Sequence, residues 1–439
     1  MVAQALFTGV TGLSVNSDNM SVIANNLANA NAKGFKRDRA EFEDILAQDL
    51  RSGGARSQIG RGSRLSRVKT LHTQGGLQVT DNLTDLAIQG GGFFVALRPG
   101  SNVLETSGKY FTRVGTHGFD KDGYFSDPNG GRIQGYMAND AGRLSSRLTD
   151  IRIETNTLPP KASANVFLNI QLDSRADVIE QPFDAMEPDK TSNFSTSLTV
   201  FDSHGRAHLT TVYFKKTSAD LDASDWEWHA GVDSREVTDP SESDLKFFAN
   251  GKISFDKFGL LATEETATSE VNFSHGAFPA QVINFDFGQN VGAEQGRGVN
   301  VSTSIAGSSS AIFNQQDGYE AGQIKTLNIT TDGKVVGIFT NGIQRVLAGI
   351  ALATFPNEDG LVKGGKNQFL GTIESGPANV GSPETGSRGS LLSSTLEESN
   401  VDLAGMFVEM IRTQRMFQAN SRTITTSDTL VEEIVNLKR

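Results

Sequence analysis

Cysteine is absent from all 439 residues, which excludes disulfides, thiol catalysis and thiolate metal sites. Proline is scarce, 11 residues against 46 glycines, and only 37% of the chain is hydrophobic. That balance suits turn-rich β structure better than a compact helical enzyme. No run approaches the ~18 apolar residues that span a bilayer, so no membrane insertion is expected. The first Lys or Arg is Lys33. Without a positive n-region, MVAQALFTGVTGL does not read as a cleaved signal peptide. If the protein leaves the cell, it does so by a route that reads no such signal. Positive charge is short overall, with a net of −11, which argues against a general nucleic-acid binder. The deficit is local: residues 161–300 hold 22 Asp+Glu against 11 Lys+Arg, the whole of the imbalance.

What is present has a clear order. The length calls for two to four domains. From Val2 to Asn31 the pattern is helical, and Leu6, Val10, Leu13, Ser17, Met20, Ala24, Leu27 and Asn31 step by four and three as a coiled-coil seam does. Gly9 and Gly12 weaken that helix by about 1 kcal/mol each, so it needs a partner. The helix is expected to stop near Asn31 to Gly34. Residues 33–70 carry ten Lys and Arg broken by Gly53, Gly54, Gly60 and Gly62, and read as a solvated basic connector. From Leu71 the period becomes two. Short strands and tight turns follow (Asp120–Tyr124, Asp202–Gly205, Asp332-Gly333, Asn341-Gly342). From about Leu396 the four–three stepping returns, through Leu403, Phe407, Met410, Phe417, Ile424 and Val431. This helix would reach ~40 residues, about 60 Å, too long to stand without a partner or an assembly.

The fold class expected is therefore mostly β with long terminal helices. Residues 1–32 and 396–439 pair as a helical coiled-coil core domain, and 33–70 connect. Residues 71–160 and 301–395 make a discontinuous inner β domain, and 161–300 an outer acidic β domain, sandwich- or barrel-like.

Chemistry is hard to find. His204 and His208 are four apart but straddle a turn, and no third ligand completes a site. Gln89–Phe93 is glycine-rich yet lacks the Lys-Ser/Thr of a phosphate loop, and reads as a sharp bend before a buried strand. Asp120–Gly123 lacks the rest of a calcium loop. No catalytic, cofactor-binding or metal-binding residue is expected.

Ser21 to Arg37, SVIANNLANANAKGFKR, resembles the N-terminal signature of bacterial flagellar axial proteins, the rod and hook group. Three further stretches are similar to that family: Leu77–Val95 (LQVTDNLTDLAIQGGGFFV), Tyr110–Tyr136, and Glu398–Arg439 with its Ser399-Asn400-Val401-Asp402-Leu403. Length, the Thr199–His208 stretch and Gln316–Gly322 resemble the hook branch. Ala32-Lys33 stands where relatives often carry a small polar residue before Gly34.

The resemblance implies a structural subunit of the flagellar hook. It would polymerise into a curved, flexible tube that passes torque from rod to filament as a universal joint. The implied partners are further copies of the chain, a distal rod protein, a hook cap or scaffold protein, a hook–filament junction protein and the flagellar type III export apparatus. The implied location is extracellular, in the flagellum. Leu6, Val10, Leu13, Met20, Leu27, Leu403, Phe407, Met410, Phe417, Ile424 and Val431, with Asn25, Asn26 and Asn29, are the expected subunit-interface residues. The competing readings are a distal rod protein with an enlarged outer domain, a secreted β-rich adhesin, and a wall hydrolase.

Overall fold

A computed structural model describes residues 2–45, 48–52, 55–99, 108–153, 157–219, 223–288 and 301–436. It is mostly strand, with one long helix at each end: α1 (Val2–Ala28) and α2 (Leu403–Asn436). The chain divides into two compact units. Unit 1 comprises 1–155, 325–338 and 344–439, and unit 2 comprises 156–324 and 339–343. The chain was expected to return to the inner β domain at 301, but Val301 is buried in the core of unit 2, which runs on to 324. The strands Thr303–Ile305 and Ser310–Gln316 still pair with Asn165–Asp173, inside unit 2.

In unit 1 a large sheet places Gln344–Ile350, Arg132–Ala138, Phe93–Leu97, Lys109–Thr112 and Gln368–Leu370 side by side, all antiparallel. Phe93, Val95, Phe111, Ala353, Phe355 and Phe369 form one of its cores. The bend before Phe93 is real: Gly90 and Gly92 have φ of +106° and +116°, left-handed values that glycine adopts without a Cβ penalty. The turns at Gly123, Gly333 and Gly342 likewise have positive φ, as their Asp-Gly and Asn-Gly chemistry requires.

Residues 33–70 are not an irregular connector. Asp38–Asp44 pairs antiparallel with Ser63–Thr70, and Gln48–Ser52 with Ala55–Ile59. Three of the basic residues are spent on this ribbon: Arg39 and Arg67 on Glu41 at 2.6 and 2.7 Å, and Arg64 on Glu43. Alternating charge at period two, rather than apolar alternation, is what makes these strands.

In unit 2 the strands Phe194–Phe201, Ala207–Ala219, Ala223–Asp233, Leu245–Asp256, Leu261–Val271 and Gln281–Val282 form a six-stranded antiparallel meander in chain order. A four-stranded sheet is centred on Asn165–Asp173, and among the described residues no closed barrel forms. Trp226, Trp228, Phe214, Phe255, Phe285 and Phe287 fill the core between them. The strands alternate because only one face meets that core.

α2 begins seven residues later than expected. Leu396 belongs to the strand Thr395–Glu397, which pairs with Leu77–Val79. The helix starts only after Asp402, whose carboxylate accepts from Ala404 N at 3.1 Å as an N-cap. Among the described residues no helix is long and apolar enough to cross a membrane.

Candidate assembly interface

The two terminal helices pack against each other, and they run antiparallel. Gly9 faces Ile424, Gly12 faces Asn420, Asn19 donates from Nδ2 to Thr413 Oγ1 at 3.0 Å, and Asn26 reaches Met406. Each step up α1 is matched by a step down α2. Asn16 and Ile23 are buried in the same row. On α1 the seam is therefore Gly9, Gly12, Asn16, Asn19, Ile23 and Asn26, stepping by three and four. On α2 it is Met406, Thr413, Asn420 and Ser427, seven apart.

This corrects the seam expected from the apolar residues. The heptad period is right but its phase is not, because the seam is mostly small and polar residues, with Ile23 and Met406 as its apolar members. The glycines that weaken the helix in isolation have a reason here. A Cβ on Gly9 would lie 2.9 Å from Ile424 Cγ1, and one on Gly12 2.7 Å from Asn420 Nδ2. At either position a side chain would displace the one that faces it, Ile424 or Asn420, from the seam.

The expected interface residues then fall into groups. Leu6, Leu13, Met20 and Leu27 are half-buried beside the seam, and Val10 is exposed. Leu403, Phe407, Phe417 and Val431 are exposed, Met410 is half-buried, and Ile424 packs on Gly9. Asn25 is exposed, and Asn29 donates to its carbonyl at 2.9 Å. Asn26 is fully engaged within its own chain. Its Nδ2 donates to Asp38 O at 2.7 Å and its Oδ1 accepts from Asp38 N at 2.8 Å. It fixes the ribbon to the helix and offers nothing to a neighbour.

Five exposed apolar residues were not singled out by the heptad: Phe7 on α1, and Val408, Ile411, Met416 and Leu430 on α2. At 100° per residue, Phe407, Val408 and Ile411 lie on the side of α2 away from Met406 and Thr413. The pair thus has a mostly small and polar inside and an outside studded with exposed apolar residues, unlike a self-sufficient coiled coil.

Where the helices meet the β structure, the chain ends are clasped together. Lys36 Nζ lies 2.6 Å from Glu397 Oε1 and donates to Thr73 O at 2.8 Å. Arg113 NH1 lies 3.2 Å from Glu397 Oε2. Gly75 N donates to Glu397 Oε1 at 2.9 Å, and Gly34 N to Glu397 O at 2.8 Å. Burial, with Arg113 close by, pushes the Lys36 pKa down. His72, in the same neighbourhood, is lowered to about 4 by burial and by those two cations. Asn400 adds a second stitch: its Oδ1 accepts from Arg37 N at 2.7 Å and its Nδ2 donates to Leu71 O at 2.8 Å.

Of the two histidines four apart, only His208 is packed into the structure. His208 lies between Glu236 (2.7 Å) and Asp202 (3.4 Å) and stacks on Phe273, while His204 is exposed. Among the described residues no group of three or more His, Cys, Asp or Glu could hold a metal.

Comparison with known proteins gives matches over the whole chain. Residues 171–319 match the flagellar basal body protein FlaE D2 domain. Residues 392–437 match the flagellar basal body rod FlgEFG protein C-terminal model, and residues 6–36 match the flagella basal body rod protein model. The flagellar hook protein FlgE of Treponema pallidum is 34% identical, covering 99% of this chain and 100% of the relative. Those of Borreliella burgdorferi and Escherichia coli K12 are 33% and 31% identical, with 99% of this chain covered in each case and 99% and 100% of the relatives. The crystal structure of Helicobacter pylori flagellar hook protein FlgE2 shares the fold, with a TM-score of 0.51 at 15% identity, covering 72% of this chain and 98% of that one.

Proposed function

Because the chain belongs to the flagellar hook protein family, we propose that copies of it polymerise through the outer faces of the α1–α2 pair. The product is a curved, flexible tube that carries torque from rod to filament. One observation carries this reading. The helix pair buries glycine, asparagine and threonine between its own members and leaves Phe7, Val10, Phe407, Val408 and Ile411 in water. An exposed apolar face of this extent marks an interaction surface. Leu6, Leu13, Met20, Leu27, Leu403, Met410, Phe417, Ile424 and Val431 flank it, with Asn25 and Asn29 as polar contacts.

The helical contacts are the fixed element of the polymer, and the β units contribute contacts that slide as the tube bends. Small, wet contacts rearrange at lower cost than a dry apolar interface. The role is structural, not catalytic. Beyond itself, the chain would meet a distal rod protein, a hook cap, a junction protein and the flagellar type III export apparatus, and it would act outside the cell.

Electron microscopy of the purified chain under polymerising conditions tests this. Curved tubes are expected. Straight rods would favour a distal rod protein, and failure of the concentrated protein to polymerise would overturn the reading.

A further inference from the structure

Unit 2 is the acidic part of the molecule: its residues hold 24 Asp+Glu against 11 Lys+Arg, a net of −13. Two copies brought together at random through such units repel. The charge is not spread evenly, however. Residues 162–172, 191–201, 207–214 and 301–316 contain no Asp, Glu, Lys or Arg at all.

The fold collects these uncharged segments. Asn165–Asp173 pairs with Ser310–Gln316, and Phe194–Phe201 pairs with Ala207–Ala219. The two pairs lie side by side, with Asn314 Nδ2 donating to Ser197 O at 3.5 Å. On this surface sit Phe167, Leu209, Ile312 and Phe313, all exposed, with Ile312 at 64% and Leu209 at 62%. Ile312 is presented by a register shift. Asn169 faces Phe313 and Ile170 faces Ala311, so Ile312 has no partner across the ladder. A bulge of this kind re-aims a side chain. At the far end of Phe194–Phe201, a second uncharged segment, 271–285, is tied on. Phe278 N donates to Ser203 Oγ at 2.8 Å, and Gln281 Nε2 to Phe201 O at 3.0 Å.

We infer that this neutral, apolar-studded face of unit 2 is where a second copy of the chain makes contact. The inference rests on the polymer proposed above and adds to it the surface used by unit 2. Charge selects the occupant. Against a partner that is itself at −13, the only approach without like-charge cost is through the uncharged window. At about 0.1 M salt, charges more than about 10 Å from the contact are screened. Area fits the proposed role. Four strands about 4.8 Å apart, each with seven or eight uncharged residues at about 3.3 Å apiece, give roughly 400–500 Å² per copy. That total is near or below the low end for specific interfaces, as a contact that must slide requires.

The absence of cysteine makes the test direct. Ile312→Cys and Phe313→Cys are placed singly in the full chain, with Phe258→Cys as an exposed apolar control that directly follows the charged Asp256 and Lys257. Far-UV circular dichroism of each monomer checks the fold, and maleimide labelling rates are compared between monomer and polymer. The expected result is at least tenfold slower labelling of Ile312→Cys and Phe313→Cys in the polymer, with Phe258→Cys within twofold of its monomer rate. Labelling of both window thiols at the monomer rate, or equal protection of Phe258→Cys, overturns the inference while leaving the helical polymer intact. If the cysteine-free parent does not polymerise, the assembly reading itself falls, and this inference with it.

Discussion

Lys36 and Glu397 lie 361 residues apart in the chain and 2.6 Å apart in the fold, both side chains completely buried. Lys36 follows the exit from α1 and Glu397 precedes the start of α2. The pair therefore makes the two ends of the chain one structural element. Breaking a buried pair by removing one partner costs about 3–5 kcal/mol, because the other charge stays behind in a low dielectric. Here two cations stay behind. Glu397→Gln is expected to destabilise unit 1 by at least about 3 kcal/mol, read as a lower urea midpoint for that unit. Glu398→Gln, on an exposed neighbour, should change it by less than about 0.5 kcal/mol.

The close helix approach makes a prediction opposite in sign to helix propensity. Replacing glycine in an isolated helix stabilises it by about 1 kcal/mol. Gly12→Leu should instead force α1 off α2, because even a Cβ would lie 2.7 Å from Asn420 Nδ2. Loss of polymer with unchanged strand content by circular dichroism is the expected outcome. Normal polymer from Gly12→Leu would mean that the seam does not persist in the assembly.

The outward face of α2 is tested by charge. Phe407→Asp and Ile411→Asp are at exposed positions, so the monomer should melt within a few degrees of the parent. Polymer yield should fall at least tenfold, measured by pelleting at fixed protein concentration.

Two histidines set an acid limit. His117 is buried between Phe94 and Phe125 at 4.8 and 5.2 Å, and burial holds its pKa at about 3. His72 is held at about 4. Both lie below the unfolded value near 6.5, so between these limits the unfolded chain binds more protons than the folded one. Stability is then full above about pH 6.5 and is lost as pH falls towards 4 and 3. At pH 4.5 each should cost unit 1 roughly 2–3 kcal/mol. Urea melts at pH 7 and 4.5 measure the sum, and His117→Phe should flatten the difference by about half.

What the sequence discloses follows from how local the cause is. The turns at Asp120–Tyr124, Asp202–Gly205 and Asp332-Gly333 are legible because an aspartate, a glycine and their own backbone make them. Both terminal helices are legible from the period of their apolar residues. The phase of the seam is not, since a periodicity search weighs Leu and Phe, while the contact is carried by Gly12, Asn19 and Thr413. The strands of 38–70 are hidden for a related reason. Their alternation is of charge, Arg39 and Glu41 against Arg67, and a basic composition conceals it. The Lys36–Glu397 clasp depends on closure of the whole of unit 1, and no local pattern announces it.

The central claim is that assembly depends on the terminal helix pair and that β folding does not. Deletion of residues 401–439, followed by sedimentation velocity and circular dichroism, tests it most directly. The account predicts a β-folded monomer that fails to polymerise at any concentration at which the full chain forms tubes. Tubes formed by the truncated chain would contradict it.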